Sequence, residues 1–371
     1  MAAIELRNIS FCFSPPPPPL LRFGPPPPTE KPFALRNIDL RIADAKSTVI
    51  LGPSGCGKTT LLKVIAGLYK PDSGQLFFDG EPVNTVPAGA RRIGMVFQDY
   101  ALYPHMDSET NITSYFLFRK KTRELTLKKK ELFERTSALL EVDITYLLRR
   151  KPPKLSGGEK QRVAVGRCIT REPRLFLLDE PFSNLDRGLR EKYRHSLKKL
   201  LEHFRITTVY VTHDQVEAAL LADDLVVMHE GRIEQAGPAR EVFDRPKNKF
   251  VAGFLSLSSE TVPINFLDGD LVSPALAGSV IGVRPDDIDM VPEGRGDIRN
   301  AIVTEVRPLM AHDRVLICAD HRDALVHAKV KASPLPARGD TVNLAFARYF
   351  LFNKITERFE KKVENLTHRT A

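Results

Sequence analysis

Residues 48–62 read TVILGPSGCGKTTLL, in which a β-type apolar run leads through a glycine-rich loop into an apolar run of helical type. The loop matches the phosphate-loop pattern Gly-x4-Gly-Lys-Ser/Thr at four positions, Gly52, Gly57, Lys58 and Thr59. Glycines let backbone N–H groups approach a phosphate closely, and the start of the following helix adds a partial positive charge. The stretch therefore predicts a strand, a phosphate-binding loop and a helix in immediate succession.

The flanks of the loop supply the context that a chance glycine-rich turn would lack. After the loop, apolar residues recur at helical spacing at Leu61, Leu62, Ile65 and Leu68. Lys58 is expected to reach the β and γ phosphates of a nucleotide, and Thr59 to ligate Mg²⁺. The predicted nucleotide-binding loop comprises Gly52, Pro53, Ser54, Gly55, Cys56, Gly57, Lys58, Thr59 and Thr60. Within it, Cys56 is interpreted as a small packing residue.

The composition of the 371-residue chain, with 42% hydrophobic and 27% charged residues, is that of a globular protein with at least two domains. No apolar run approaches the length needed to span a bilayer, and the N-terminal MAAIELRNIS lacks a secretory signal, so we expect a soluble, cytosolic chain. The four cysteines stand far apart, which predicts neither a zinc site nor a disulfide framework.

The net charge of +9 would suit nucleic acid or an anionic surface. Much of this charge lies in residues 119–130, RKKTRELTLKKK, where a solvated helix face explains it equally well. Because no interleaved aromatics or nucleic-acid module accompany the run, we expect no nucleic-acid partner.

Before the loop, two strands are predicted, at Ile4–Phe13 and Phe33–Ile42. The segment between them, residues 14–32, carries the proline runs Pro15–Pro19 and Pro25–Pro28. Proline lacks the amide donor of a strand and favours polyproline II, so we expect a stiff protruding loop. It is read as a tolerated insertion, with an SH3-like ligand as the alternative.

After the loop, short strands are predicted at 75–79 and 93–97, followed directly by Gln98. From 100 to 154 the pattern becomes helical and charged, which predicts a small helical subdomain within about 99–170. Its expected apolar contacts are Leu132, Phe133, Leu139, Leu140 and Leu147.

Two further apolar runs end in polar residues that bear on chemistry. Residues 175–178 lead into Asp179 and Glu180, and residues 206–212 lead into His213. Continuous apolar runs between helical stretches predict a sheet covered on both faces, and ligands of such sheets bind at the carboxyl ends of the strands. We therefore expect the phosphate loop, Asp179 and His213 to form one site.

These motifs, taken with LSGGEKQR at 155–162, resemble the ATP-binding subunit of an ABC importer. LSGGEKQR resembles the ABC signature. Ser156 is also a suitable helix N-cap, with Glu159 as its capping-box partner. Gly157 and Gly158 leave backbone amides free for an anion. The resemblance implies that Ser156, Gly157 and Gly158 contact the γ phosphate of ATP bound by the other subunit. It thus implies a homodimer, or an ABC heterodimer, with shared sites.

The resemblance also implies roles for the polar strand ends. In RLFLLDEP, 174–181, Asp179 would hold Mg²⁺ through water and Glu180 would deprotonate the attacking water. In THDQVEA, 212–218, His213 would contact the γ phosphate, and SNLD, 183–186, would run along the dimer interface. Gln98 would sense Mg²⁺ and the nucleophilic water.

The residues implied as catalytic are thus Glu180, His213, Gln98 and Lys58, and those implied as metal ligands are Thr59, Gln98 and Asp179. Phe13 is expected to stack on adenine, with Phe23 as a rival because Phe23-Gly24 mimics an aromatic-Gly pair of the family. Two features depart from the family pattern. Ala45-Lys46 replaces the usual Gly-Glu before the loop strand, and ETNITSYFLF, 109–118, follows the usual pattern only loosely.

Beyond residue 237, short strand-like pieces at 280–283, 301–306, 315–318, 324–330 and 342–345 predict a small β-barrel domain. FDRPKNKFVAGF, 243–254, and IGVRPDDI, 281–288, resemble the lead-in to the OB-like regulatory domain of maltose and related-sugar importers. The domain prediction is an ATPase domain at 1–236 and the OB-like domain at 237–371.

The expected fold is therefore α/β, a P-loop NTPase ABC cassette with a mixed sheet core and antiparallel β and helical subdomains, then an all-β domain. The resemblance implies an ATPase that uses ATP and Mg²⁺ and works under integral-membrane permease subunits at the cytoplasmic face of the cell membrane. A solute-binding protein would act indirectly. Sugar is the favoured cargo, with polyamine, ferric ion or another small solute as alternatives. A soluble ABC ATPase acting on ribosomes or DNA is disfavoured by the single phosphate loop and single signature.

Overall fold

The computed structural model describes residues 2–13, 33–117, 122–139, 147–183, 185–255, 262–309, 314–331 and 334–364. The chain forms two compact units, Met1–Ala239 and Arg240–Ala371. The proline runs and Phe23 lie outside the described residues, so their expected protruding loop stays a prediction. In the described part of the chain, no helix has the length and apolar character needed to cross a bilayer.

The first unit is built around a six-stranded sheet. Its strands are β3 (Ser47–Leu51), β6 (Ile93–Val96), β7 (Leu175–Asp179), β8 (Thr207–Thr212), β9 (Asp224–His229) and β10 (Arg232–Pro238). Their order is β10-β9-β3-β8-β7-β6; β10 pairs antiparallel with β9, and the other pairs are parallel. Every residue of β3, β7 and β8 is buried, which explains their continuous apolar sequences. The mixed sheet is confirmed.

A four-stranded antiparallel sheet in the order β2-β1-β4-β5 completes the β structure of this unit. Its strands are β1 (Ile4–Cys12), β2 (Phe33–Ile42), β4 (Ser73–Phe78) and β5 (Glu81–Pro82). Apolar residues of β1 and β2, such as Ile4 and Ile38, belong to the same buried core as Ile65 and Val209. The antiparallel sheet is therefore held to the main sheet by one shared hydrophobic core.

The helices of the first unit are α1 (Lys58–Ala66), α2 (Ser108–Ile112), α3 (Ser114–Leu117), α4 (Arg123–Leu139), α5 (Gly157–Ile169), α6 (Arg187–Phe204) and α7 (Gln215–Leu221). Helix α1 ends before Gly67, whose φ is 77°, and the Leu68 side chain is 48% exposed. The helical spacing therefore holds for Leu61, Leu62 and Ile65 but is wrong for Leu68, because a left-handed residue terminates the helix first.

The helical region has its own small core of Ile112, Leu147, Leu155 and Val163, with Leu102 and Phe133 against it. Leu132 is also buried, whereas the side chains of Leu139 and Leu140 lie outside the described residues. Most described side chains of residues 123–130 are exposed on α4, as a solvated charged helix face requires.

The second unit follows Ala239, the first residue of α8 (Ala239–Asp244), and contains α9 (Lys249–Phe254), three short 3-10 helices and nine described strands. Its strands are β11 (Asn265–Asp268), β12 (Ser279–Val283), β13 (Ile288–Val291), β14 (Ile298–Pro308), β15 (Val315–His321), β16 (Ala324–Val330), β17 (Thr341–Phe346), β18 (Arg348–Asn353) and β19 (Phe359–Glu364). They form two antiparallel sheets, β11-β12-β18-β19 and β13-β17-β14-β15-β16. The all-β architecture agrees with the expected OB-like fold, although the sequence did not predict β11, β13, β18 or β19.

Candidate active site

Three neighbouring strands bring the predicted site together. The phosphate loop follows β3, Asp179 ends β7, and His213 follows β8, which pairs with both β3 and β7. Because all three strands are parallel, their carboxyl ends lie along one edge of the sheet. The loop, Asp179 and His213 therefore share that edge, as the apolar runs predicted.

The phosphate loop curls around the ammonium group of Lys58. Lys58 is buried and its Nζ donates to the carbonyl oxygens of Gly52 at 2.8 Å and Pro53 at 2.9 Å. Gly57 precedes the helix with φ 104°, and a Cβ there would stand 2.5 Å from the Ala34 oxygen. Only glycine fits that position, so the helix α1 can begin directly at Lys58 with its free N–H groups at the loop.

Thr59 and Asp179 join the loop to the end of β7. The hydroxyl of Thr59 donates to Oδ1 of Asp179 at 2.8 Å, and Asp179 is buried. Burial raises the pKa of Asp179 above its ordinary value because it disfavours the charged form; the Thr59 hydrogen bond opposes that shift and neighbouring Glu180 adds to it. A bound cation would offset the cost of keeping this buried carboxylate charged. Hydroxyl and carboxylate oxygens are ligands that Mg²⁺ accepts.

The residues present fit such a cation without a larger ligand cluster. Among the residues that the structure describes, no group of three or more His, Cys, Asp or Glu side chains is arranged to hold a metal ion. Mg²⁺ in nucleotide sites takes only one or two protein ligands and completes its shell with phosphates and waters. Thr59 and Asp179 are therefore sufficient protein ligands for it.

Glu180 and His213 face one another across the edge of the sheet. Nδ1 of His213 lies 3.1 Å from Oε2 of Glu180. The backbone of Glu180 has φ 43°, held by its N–H bond to the Val211 oxygen at 3.0 Å and by Ser183, whose hydroxyl donates to the Glu180 oxygen at 2.9 Å. A left-handed conformation at a non-glycine residue costs about 1–3 kcal/mol, and such strain concentrates at functional sites.

The start of α5 carries the signature sequence. Ser156 and Glu159 form both bonds of a capping box. The Glu159 N–H donates to the Ser156 hydroxyl at 3.3 Å, and the Ser156 N–H donates to Oε2 of Glu159 at 2.7 Å. A Cβ at Gly158 would stand 2.3 Å from the ring of Tyr193 on α6. A side chain at position 158 would force the Tyr193 ring to shift, so Gly158 favours the packing of α5 against α6 in addition to any contact with a phosphate.

Gln98 lies in the turn after β6, which is the neighbour of β7. The following residues Tyr100 and Ala101 have φ of 64° and 43°. Arg167, near the end of α5, donates to the carbonyl oxygens of both, at 3.0 Å and 2.6 Å. Sequence reasoning missed Arg167, whose place inside the signature helix was its only signal, and this arginine ties the strained turn to that helix.

Phe13 belongs to an aromatic cluster at the end of β1. Its ring meets those of Phe11 and Tyr69 edge-on, with centroids 5.2 Å and 6.0 Å apart. The side chain remains 46% exposed, so a face is available for stacking.

The turn before β3 forms although Ala45 stands where the family usually has glycine. Ala45 has φ 57°, and its N–H donates to the Thr207 hydroxyl at 2.9 Å.

The sheet order, the phosphate loop around Lys58 and the paired carboxylates at the strand edge define the class of P-loop nucleotide-binding proteins. The profile of the ABC transporter family matches residues 35–183. The sn-glycerol-3-phosphate import ATP-binding protein UgpC of Bartonella bacilliformis is 40% identical over 336 residues, covering 87% of this chain and 94% of that protein.

Two further comparisons agree. The trehalose/maltose import ATP-binding protein MalK of Thermococcus litoralis is 42% identical over 290 residues, covering 76% of this chain and 75% of that protein. The dimeric post-hydrolysis structure of the ATP-binding cassette MJ0796, bound to ADP and Pi, superposes with a TM-score of 0.52 at 29% identity, covering 64% of this chain and 99% of that one. The chain therefore belongs to the ABC transporter family, as an ATP-binding ATPase subunit. The family and fold predicted from the sequence are confirmed.

Proposed function

We propose that this chain hydrolyses ATP to energise a membrane importer of sugars or sugar derivatives. The observation that carries the proposal is the joining of Lys58, the Thr59–Asp179 pair and the Glu180–His213 pair at one edge of the sheet. Such an arrangement supplies a phosphate cradle, oxygen ligands for a cation and a carboxylate for a water molecule.

Each of these residues has a distinct chemical task. Lys58 and the loop N–H groups would bind the β and γ phosphates. Thr59 and Asp179 would hold Mg²⁺, whose charge would offset the negative charge of the phosphates. Glu180 takes a proton from the attacking water, and His213 contacts the γ phosphate beside it. Gln98, in the turn next to β7, senses the occupied site, and Phe13 stacks on the adenine.

We also propose that two such chains share two ATP molecules. The signature segment, Ser156 with Gly157 and Gly158, would close on the γ phosphate held by the partner chain. A homodimer of this kind would sit beneath permease subunits at the cytoplasmic face of the membrane, with a solute-binding protein supplying cargo. Residues 1–236 would form the ATPase domain, with its helical subdomain at about 99–170, and 237–371 an OB-like regulatory domain.

The cargo class is supported by the names of the relatives, which are import proteins for sn-glycerol-3-phosphate and for trehalose and maltose. A deletion strain should lose uptake of a labelled sugar or polyol phosphate, and the wild-type gene should restore it. The Glu180→Gln gene should not restore it, because transport requires hydrolysis. Unchanged uptake of a carbohydrate panel, together with reduced polyamine or ferric-ion uptake, would show that the cargo assignment is wrong.

A further inference from the structure

A buried carboxylate lies behind the histidine of the site. Glu217, on α7, is 3% exposed. Its Oε2 accepts hydrogen bonds from the hydroxyls of Tyr210 and Thr212, both at 2.7 Å. Its Oε1 accepts from Arg194 of α6, with Nη2 at 3.3 Å and Nε at 3.4 Å. Both oxygens of Glu217 are therefore engaged, two of the donors coming from β8 and one from α6.

The charges around Glu217 are balanced. Arg194 also donates to Asp214, and Arg190 places Nη1 3.7 Å from the same carboxylate, so two guanidinium groups face two carboxylates. Burial, together with the neighbouring Glu217 carboxylate, raises the pKa of Tyr210 well above its ordinary value, so its hydroxyl remains a donor. The bonds around Glu217 make the cluster rigid, since removing Tyr210, Thr212 or Arg194 would leave this buried carboxylate without one of its partners.

This cluster anchors the residues on both sides of His213. The Thr212 hydroxyl donates to Glu217 and accepts from the backbone N–H of Asp214 at 3.0 Å. Asp214 in turn caps α7, accepting from the N–H groups of Val216 at 2.8 Å and Glu217 at 3.1 Å. The backbone of His213 is therefore held between two residues that are each fixed by short hydrogen bonds.

The side chain of His213 is 52% exposed, so packing alone does not locate its ring against Glu180. We propose that Glu217, acting through Thr212 and Tyr210, is a positioning residue that fixes His213 beside Glu180. The inference rests on the proposed function, because it concerns the same hydrolytic site. It assigns a role to the buried half of the THDQVEA segment, to which the proposed function gives no contact with nucleotide or cation.

Two near-isosteric variants of the full-length chain test the proposal. Thr212→Val and Tyr210→Phe each remove one hydroxyl from Glu217 while keeping the shape of the side chain. We expect kcat for ATP to fall about 10- to 100-fold, as a small misplacement of a reacting group does, with KM within about twofold. Thr212→Ser keeps the hydroxyl and should recover the rate. The matched control is Thr208→Val on the same strand, whose hydroxyl donates to the Ile206 oxygen at 3.0 Å instead; it should retain the wild-type rate.

A double-mutant cycle with His213→Ala separates positioning from general stability. If Glu217 acts through His213, Thr212→Val should change the residual single-turnover rate little once the histidine is absent. Equal losses in both backgrounds, or a loss matched by Thr208→Val, would overturn the proposal. If the wild-type chain hydrolysed no ATP, the proposed function itself would fail; additive losses with an active wild type would refute only the positioning role.

Discussion

Nδ1 of His213 lies 3.1 Å from Oε2 of Glu180, although the two residues follow different strands of the sheet. Strands β7 and β8 pair in parallel with Asp179 opposite Val211, so their carboxyl ends are level. The pairing therefore places the two side chains side by side although they are far apart along the chain. A change at either residue should therefore affect the chemistry of the other.

The first prediction tests Glu180 as the base. Glu180→Gln keeps the shape of the side chain and its hydrogen bonding but removes the basic carboxylate. Hydrolysis should fall about 10²- to 10⁴-fold, the usual cost of losing general-base assistance. Binding should survive because Lys58, Thr59 and Asp179 remain.

The Glu180→Gln chain should then accumulate as an ATP-bound dimer. Gel filtration with ATP, with and without Mg²⁺, measures this against the wild-type chain. Hydrolysis at a near wild-type rate would remove Glu180 from the role of base, and an ATP-bound monomer would argue against the shared site.

The second prediction concerns the buried charge of Asp179. Its raised pKa means that ionisation opposes folding at pH values above that pKa. Asp179→Asn should therefore raise the unfolding temperature of the nucleotide-free chain at neutral pH. The difference from wild type should shrink as the pH falls through the raised pKa and vanish below the ordinary value of 3.8.

The same variant should lose the stabilisation that Mg-ATP gives. For the wild-type chain this stabilisation is about 2.7 kcal/mol when the Mg-ATP concentration is 100 times its Kd. Asp39→Asn is the control, since that exposed carboxylate accepts only the N–H of Asn8 at 2.8 Å in the contacts described. A nucleotide-free Asp179→Asn chain that unfolds below the wild-type temperature would contradict the argument.

The sequence predicted the edge of the sheet that carries Asp179 and His213, because each strand there is a continuous apolar run followed by a polar residue. It failed for β11, β13, β18 and β19 for physical reasons. The last of these reads FEKKVE, in which most side chains are charged, and its pairing depends on the register with β18. Arg167 and Glu217 were missed since their partners, Tyr100 and Tyr210, come from other elements of the fold. Such contacts have no periodic signal in the sequence.

The third prediction concerns the proline segment 14–32. Cys12 and Phe33 are direct Cα partners in the β1–β2 pair, so the two ends of the segment are adjacent. Replacing 14–32 with a short Asn-Gly turn should therefore preserve the strand pair. We expect the KM for ATP to stay within about twofold, measured by steady-state hydrolysis. A large rise in KM would instead place Phe23, or the segment itself, at the adenine.

The last prediction separates the cap of the signature helix from its role in the dimer. Ser156→Ala removes the hydroxyl that accepts the Glu159 N–H at 3.3 Å, and Asn248→Ala removes a comparable cap from α9, where the side chain accepts the Val251 N–H at 2.9 Å. Each loss should cost about 0.5–2 kcal/mol of stability.

Only Ser156→Ala should also weaken the ATP-bound dimer, because only its hydroxyl is proposed to reach a phosphate in the partner chain. The expected loss of dimer affinity in the Glu180→Gln background is about 100-fold or more, because each of the two shared sites loses one hydrogen bond to a charged group. Sedimentation at several protein concentrations with Mg-ATP measures it. If both cap variants weakened the dimer equally, Ser156 would act as a helix cap alone, and the phosphate contact would have to come from the backbone N–H groups of Gly157 and Gly158.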